Sequence, residues 1–191
     1  MADSNITKRA LANELQELMA EQPFEKINVA QICQRCHMNR KSFYYHFRDK
    51  YDLVNWIFDT EFIALIRNEK PGNSYEEHWA FIETCCRYFY QNHAFYRKAL
   101  QIKGQNSFSD HFKEYIRPLL MDRLSYLLGR DHLDTFTLDF FTDAVICAME
   151  RWLLTRDCMP SEQFLEKIRS LIEQGAVSIY REMTRTEQEE Q

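Results

Sequence analysis

No stretch of the 191-residue sequence alternates apolar and polar residues over a useful length, and glycine and proline occur only four times each. Strands show a period of two and turns need residues that tolerate unusual backbone angles, so a sheet-rich fold is excluded. What recurs instead is apolar spacing of three and four. Phe136, Phe140, Phe141, Ala144, Val145, Ala148 and Trp152 form one such series; Leu165, Ile168, Ile172, Ala176, Ile179 and Met183 form another. The expectation is an all-α protein of about nine helices. A hydrophobic share of 45% places it with globular rather than disordered chains.

No apolar run is long enough to span a bilayer, and the N-terminus lacks the basic and apolar regions of a signal peptide. A cytoplasmic protein with no membrane partner is expected, its six cysteines kept as thiols. The net charge of -5 argues against a nucleic-acid partner only until its distribution is read. Residues 1–50 hold eight Lys and Arg against six Asp and Glu, while the rest holds sixteen against twenty-three. A mildly basic N-terminal unit precedes an acidic body.

The N-terminal unit reads as three helices. The first runs from about Ser4 or Asn5 to Gln22, with Leu11, Leu15, Leu18 and Met19 on one side and Pro23 as its stop. Lys8 and Arg9 in its first turn are either a solvated face or reach a phosphate backbone. Asn28, with Gln31 three residues on, forms a capping box for the second helix, whose inner side is Val29, Ile32 and Cys33. His37-Met38 is a turn and Asn39 caps a third helix. Met38 and Phe43 stand at hydrophobic-staple positions. On that third helix Phe43 and Phe47 are four apart and can bury together. Lys41, Ser42, Tyr44 and Tyr45 share the opposite arc, with Arg40 at its edge. Cations, phenols and a hydroxyl on one exposed face suit a DNA major groove. Two short helices joined by a tight turn, the second carrying such a face, make a helix-turn-helix.

Residues 27–53, and above all the run Ser42-Phe43-Tyr44-Tyr45-His46-Phe47 followed by Lys50 and Leu53, resemble the DNA-binding domain of the TetR family of transcriptional regulators. The resemblance implies that Asn28, Ser42, Tyr44 and Lys50 touch phosphates, that Arg40, Lys41 and Tyr45 lie nearest the base edges, and that His46 supports the helix. With the cap Asn39, these nine residues are the candidate DNA-binding set. Lys50 has a second reading, as an ion-pair partner of Asp49 or Asp52. Cys36 and His37 stand where the family has a small residue and glycine, and Asn39 where it has serine or threonine.

A fourth helix, about Asp49 to Lys70, is apolar on nearly every side, and Pro71-Gly72-Asn73 breaks the chain after it. Ser74 and Glu77 cap a fifth helix to about Asn92; a sixth runs through Lys103. A seventh, about 107–128, contains Pro118 and should kink or split there. Two long helices, about 131–156 and 161–185, close the body. The expected domains are 1–48 for DNA binding and 49–185 for regulation and dimerisation, with a disordered tail over 186–191. Aromatic and small residues beyond one stripe on the last two helices call for a second burial, against another copy. The family resemblance implies the same homodimer on a palindromic operator, repression being the commoner mode, with a small-molecule effector or a partner protein acting on the body. Leu53–Phe58, Asn92–Lys98 and Ala144–Ala148 resemble, more narrowly, the dihydroxyacetone kinase regulator subgroup. That resemblance implies an alternative, a helical co-regulator working through a partner sensor protein.

Cys33-Gln-Arg-Cys36-His37 has the spacing of a c-type haem attachment site, but in a helix-turn-helix Cys33 faces inward and Cys36-His37 makes the turn. A redox pair of Cys33 and Cys36 stays open. No second ligand pair, Gly-rich phosphate loop or nucleophile elbow stands out, so neither metal, cofactor nor enzymatic activity is expected. Ligand residues are left unnamed, although the aromatics at 79–95 and 136–152 could equally line a cavity or fill a core.

Overall fold

The computed structural model describes residues 2–67, 74–104, 107–129 and 133–189, with side chains from Ser4 to Arg181 within those ranges. Among the described residues there are nine α-helices, one short 3-10 helix and no strand: α1 (Ala2–Glu21), η1 (Phe24–Lys26), α2 (Val29–Arg35), α3 (Arg40–His46), α4 (Lys50–Arg67), α5 (Tyr75–Gln91), α6 (His93–Ala99), α7 (Phe108–Leu127), α8 (Thr135–Leu154) and α9 (Ser161–Glu189). The all-α expectation holds.

Local chemistry accounts for most boundaries. Asn28 Oδ1 accepts from the Gln31 N–H while Gln31 Oε1 accepts from the Asn28 N–H, so both halves of the capping box are made. Ser74 and Glu77 repeat the arrangement at the start of α5. Asp134 caps α8 by accepting from the Thr137 N–H, a shorter start than expected; residues 131 and 132 lie outside the described residues, as do 68–73 after α4. α6 ends at Ala99, short of Lys103. α7 runs unbroken through Pro118. Pro118 and Glu114, whose carbonyl loses its donor, both lie on the exposed side, where water can replace the missing bond. α9 continues to Glu189, through residues assigned above to a disordered tail.

Two compact units emerge, residues 1–68 with 92–112 and residues 69–91 with 113–191. In the first, α1 packs on α2, α3, α4 and α6. Leu11 and Leu15 of α1 are wholly buried with Ile32, Phe43, Leu53 and Phe62. Phe58 of α4 stacks on Phe62 at 5.2 Å and meets Phe108 edge-on at 5.5 Å, a geometry favourable for aromatic rings. His111 Nε2 lies 2.8 Å from Asp59 Oδ1 beside that cluster.

In the second unit α5 packs on α9. Trp152 stacks on Phe164 at 4.3 Å and its Nε1–H donates to the Met159 carbonyl at 2.8 Å, which pins the α8–α9 connection. Lys113 pairs with Glu150 at 3.0 Å, and Arg117 reaches both Asp139 and Asp143, joining α7 to α8. Of the α8 series, Val145 and Trp152 are buried, whereas Phe136 and Phe140 are 79% and 61% exposed. On α9, Ile168 and Ile172 are buried while Leu171, Val177 and Tyr180 are exposed.

Candidate nucleic-acid interface

The turn between α2 and α3 is built without glycine. His37 adopts φ 53°, the left-handed region that a glycine would enter with no Cβ penalty. The Met38 N–H donates to the Cys33 carbonyl at 2.8 Å and the His37 N–H to that of Gln34 at 3.2 Å, so the last carbonyls of α2 are satisfied. Histidine thus fills the glycine position at some cost in backbone strain. Cys33 is buried, Cys36 Sγ donates to the Ile32 carbonyl at 3.2 Å, and burial pushes both thiols up. A raised thiol is a weak nucleophile at neutral pH.

Asn39 Oδ1 accepts from the Ser42 N–H at 2.8 Å and from the Ser42 hydroxyl at 3.2 Å, fixing the first turn of α3. Phe43 and Phe47 then bury completely or nearly so, and their rings lie 5.7 Å apart. Burial of that side forces the other outward. Arg40, Lys41, Tyr44 and Tyr45 are exposed, the two tyrosines by 57% and 83%, and none of the four makes an ion pair or hydrogen bond among the described residues. The helical wheel leaves Arg40 near the core side; the structure puts it in solvent. His46 is half-buried, its ring edge-on to Tyr45 at 4.9 Å, as a supporting residue would be.

Two residues assigned to phosphates have their donors committed elsewhere. Lys50 Nζ donates to the Phe24 and Ile27 carbonyls, each at 2.7 Å, and sits 4.3 Å above the Phe24 ring. The alternative pairing with Asp49 or Asp52 does not form either. Asp49 Oδ1 caps α4 by accepting from the Tyr51 and Asp52 N–H groups, and Asp52 takes the Arg48 N–H. An ammonium has three protons, so one holding two or three carbonyls has little left for a phosphate. Ser42 likewise spends its hydroxyl proton on Asn39. Asn28 spends only its oxygen, leaving its amide NH2 as a donor on an exposed residue. In the second turn of α1, which starts earlier than expected, Lys8 lies over the Phe47 and Trp56 rings at 5.7 and 5.8 Å, while Arg9 is exposed.

Lys98 belongs with this unit although no sequence motif marks it. From α6 its Nζ donates to the Met19 carbonyl and, at 3.0 Å, to that of Ala20, so it caps the C-terminus of α1. Cations are favoured at helix C-termini, but the partner lies 79 residues away, beyond any local pattern. Arg35 Nη2 donates to both carboxylate oxygens of Glu21 at 2.7 Å, holding the end of α2 to that of α1.

Residues 7–57 match the family model described as bacterial regulatory proteins, tetR family, and residues 77–174 match the one described as transcriptional regulator C-terminal region. The chain belongs to the TetR family. It is a transcriptional regulator of that family and not an enzyme. Among TetR relatives, the HTH-type dhaKLM operon transcriptional activator DhaS of Lactococcus lactis is 26% identical over 178 residues, 90% of this chain and 89% of that protein. The dihydroxyacetone kinase operon activator DhaS among solved structures superposes with a TM-score of 0.62 at 22% identity, covering 91% of this chain and 95% of that one. A TetR-family structure from Syntrophomonas wolfei gives 0.73 at 14% identity over 91% and 96%. NalD, the secondary repressor of an efflux pump in Pseudomonas aeruginosa, gives 0.69 at 14% over 91% and 96%. At such identities the structures share the TetR fold. No described helix is long and apolar enough to cross a membrane.

Proposed function

We propose that this TetR-family chain binds a palindromic operator as a homodimer, that occupancy of the operator represses transcription, and that an effector or partner protein bound by the C-terminal region controls it. The observation that carries the reading is the outward face of α3, where Arg40, Lys41, Tyr44 and Tyr45 stand free above a buried Phe43 and Phe47. Base edges are assigned to Arg40, Lys41 and Tyr45, and phosphates to Asn28 and Tyr44. Dimerisation is supported by the apolar residues left exposed on α8 and α9, Phe136, Phe140, Leu171, Val177 and Tyr180. A two-fold pair presents two reading helices about 34 Å apart, one turn of DNA.

An operator selected from random duplexes, measured by fluorescence anisotropy, tests this. Replacing Lys41, Tyr44 and Tyr45 by Ala lowers specific affinity by about 100-fold or more, since each base or phosphate contact contributes about 1 to 3 kcal/mol. A folded wild-type protein with no selective duplex affinity at any salt concentration overturns it.

A second reading, activation of a dihydroxyacetone kinase-type operon through a partner sensor protein, is favoured by the match to DhaS along nearly all of both chains. Transcription in vitro from a template carrying the selected operator decides between them by its sign. Repression falls to a rise in transcript on adding the regulator.

A further inference from the structure

From the buried Arg123–His78 pair in the second unit, we infer that this TetR regulator holds a binding site for the carboxylate of a small organic acid. The inference rests on the reading that the C-terminal region receives an effector, and supplies its chemical class. Arg123 of α7 is 5% exposed and His78 of α5 is 4% exposed. A guanidinium stays charged at any ordinary pH and can only donate, so its burial is costly unless an anion faces it. What faces it here falls short. Nη1 donates to His78 Nδ1 at a long 3.4 Å, the Phe81 ring lies 4.2 Å below, and the nearest carboxylate among the described residues, Asp122 Oδ2, is 4.0 Å from Nε on an exposed side chain. Nε itself is buried without a hydrogen-bond acceptor. Two half-buried cations of the first unit differ in this: Lys50 and Lys98 each hold at least two carbonyls.

The surroundings set the ligand class. Because Arg123 must donate, His78 accepts at Nδ1 and carries its proton on Nε2, a second donor type beside the first. Tyr126 stacks on the His78 ring at 4.0 Å and 16°, and is itself 39% exposed. Tyr126 thus stands between the His78 ring and solvent. A charged, donor-only centre among Phe81, His78 and Tyr126 rings matches a carboxylate on an apolar body better than a fully hydrated inorganic anion.

Isothermal titration of the full chain with acetate, butyrate, octanoate and benzoate, each beside its neutral amide and with inorganic phosphate as a further arm, tests the site. Saturable binding of at least one carboxylate, at least tenfold tighter than its amide, is expected. Arg123→Met abolishes it and Arg123→Lys weakens it by tenfold or more, while Arg123→Met alone melts no lower than wild type. Absence of carboxylate binding, equal binding by Arg123→Met, binding of phosphate only, or a large fall in melting temperature in Arg123→Met overturns the proposal. Operator affinity is measured separately. Carboxylate binding that leaves it unchanged keeps the site and removes the effector reading, whereas operator control by some other molecule without carboxylate binding does the reverse.

Discussion

Lys50 and Lys98 in the first unit and Arg123 in the second, three of the cations withdrawn from full exposure, are held in different ways. In the first, Lys50 and Lys98 each hold backbone carbonyls at a helix end or a 3-10 turn. In the second, Arg123 is more deeply buried than either and holds less, one long bond to a histidine and a carboxylate at 4.0 Å. A cation fully matched by carbonyls is part of the scaffold. One buried without its match is a cost that the fold has retained, and retained costs concentrate where something binds.

Replacing each cation by Met, which keeps the apolar stem, separates the two kinds. Lys50→Met should be the most damaging, lowering the unfolding free energy by about 2 to 3 kcal/mol because the Ile27 carbonyl loses the ammonium and the Phe24 carbonyl keeps only the Ile27 N–H. Chemical denaturation measures it, and a variant as stable as wild type would reduce Lys50 to a surface group again available to phosphate. Lys98→Met should cost about 1 to 2 kcal/mol through the α1 C-terminus, where Ala20 is partly accessible to water. His37→Gly should add about 1 kcal/mol by relieving the φ 53° strain, which sharpens the contrast: even the well-matched unit carries one local strain, in the turn that aims α3. Arg123→Met should show the smallest change, melting at or slightly above wild type. A loss comparable with that of Lys50→Met would erase the distinction.

Whatever is short in range was legible in the sequence. The boxes at Asn28–Gln31 and Ser74–Glu77, the Asn39 cap and the Phe43–Phe47 pair depend on residues three or four apart, and all are made. Tyr44 and Tyr45 followed from the same period. Lys50 did not, because what captures it, the carbonyls of Phe24 and Ile27, carries no side-chain signature and lies 26 and 23 residues back. Lys98 is the same case at longer range. His78 and Arg123 are 45 residues apart, and nothing in either neighbourhood marks them as a pair. Pro118 does not split α7 for the opposite reason: its local rule is sound, but it sits on an exposed side where breaking one bond costs little.

α3 is only seven residues long. At 1.5 Å per residue it spans about 10 Å, or roughly three base pairs at 3.4 Å each. In the proposed dimer, two copies would specify about six positions, and a six-letter word in a four-letter alphabet recurs by chance roughly once in four thousand base pairs. A bacterial chromosome would hold hundreds of such words. On that proposal, the information that singles out one promoter would be carried by duplex shape between and beside the two words, read through the register that the Asn39 cap and the His37 turn impose on each α3.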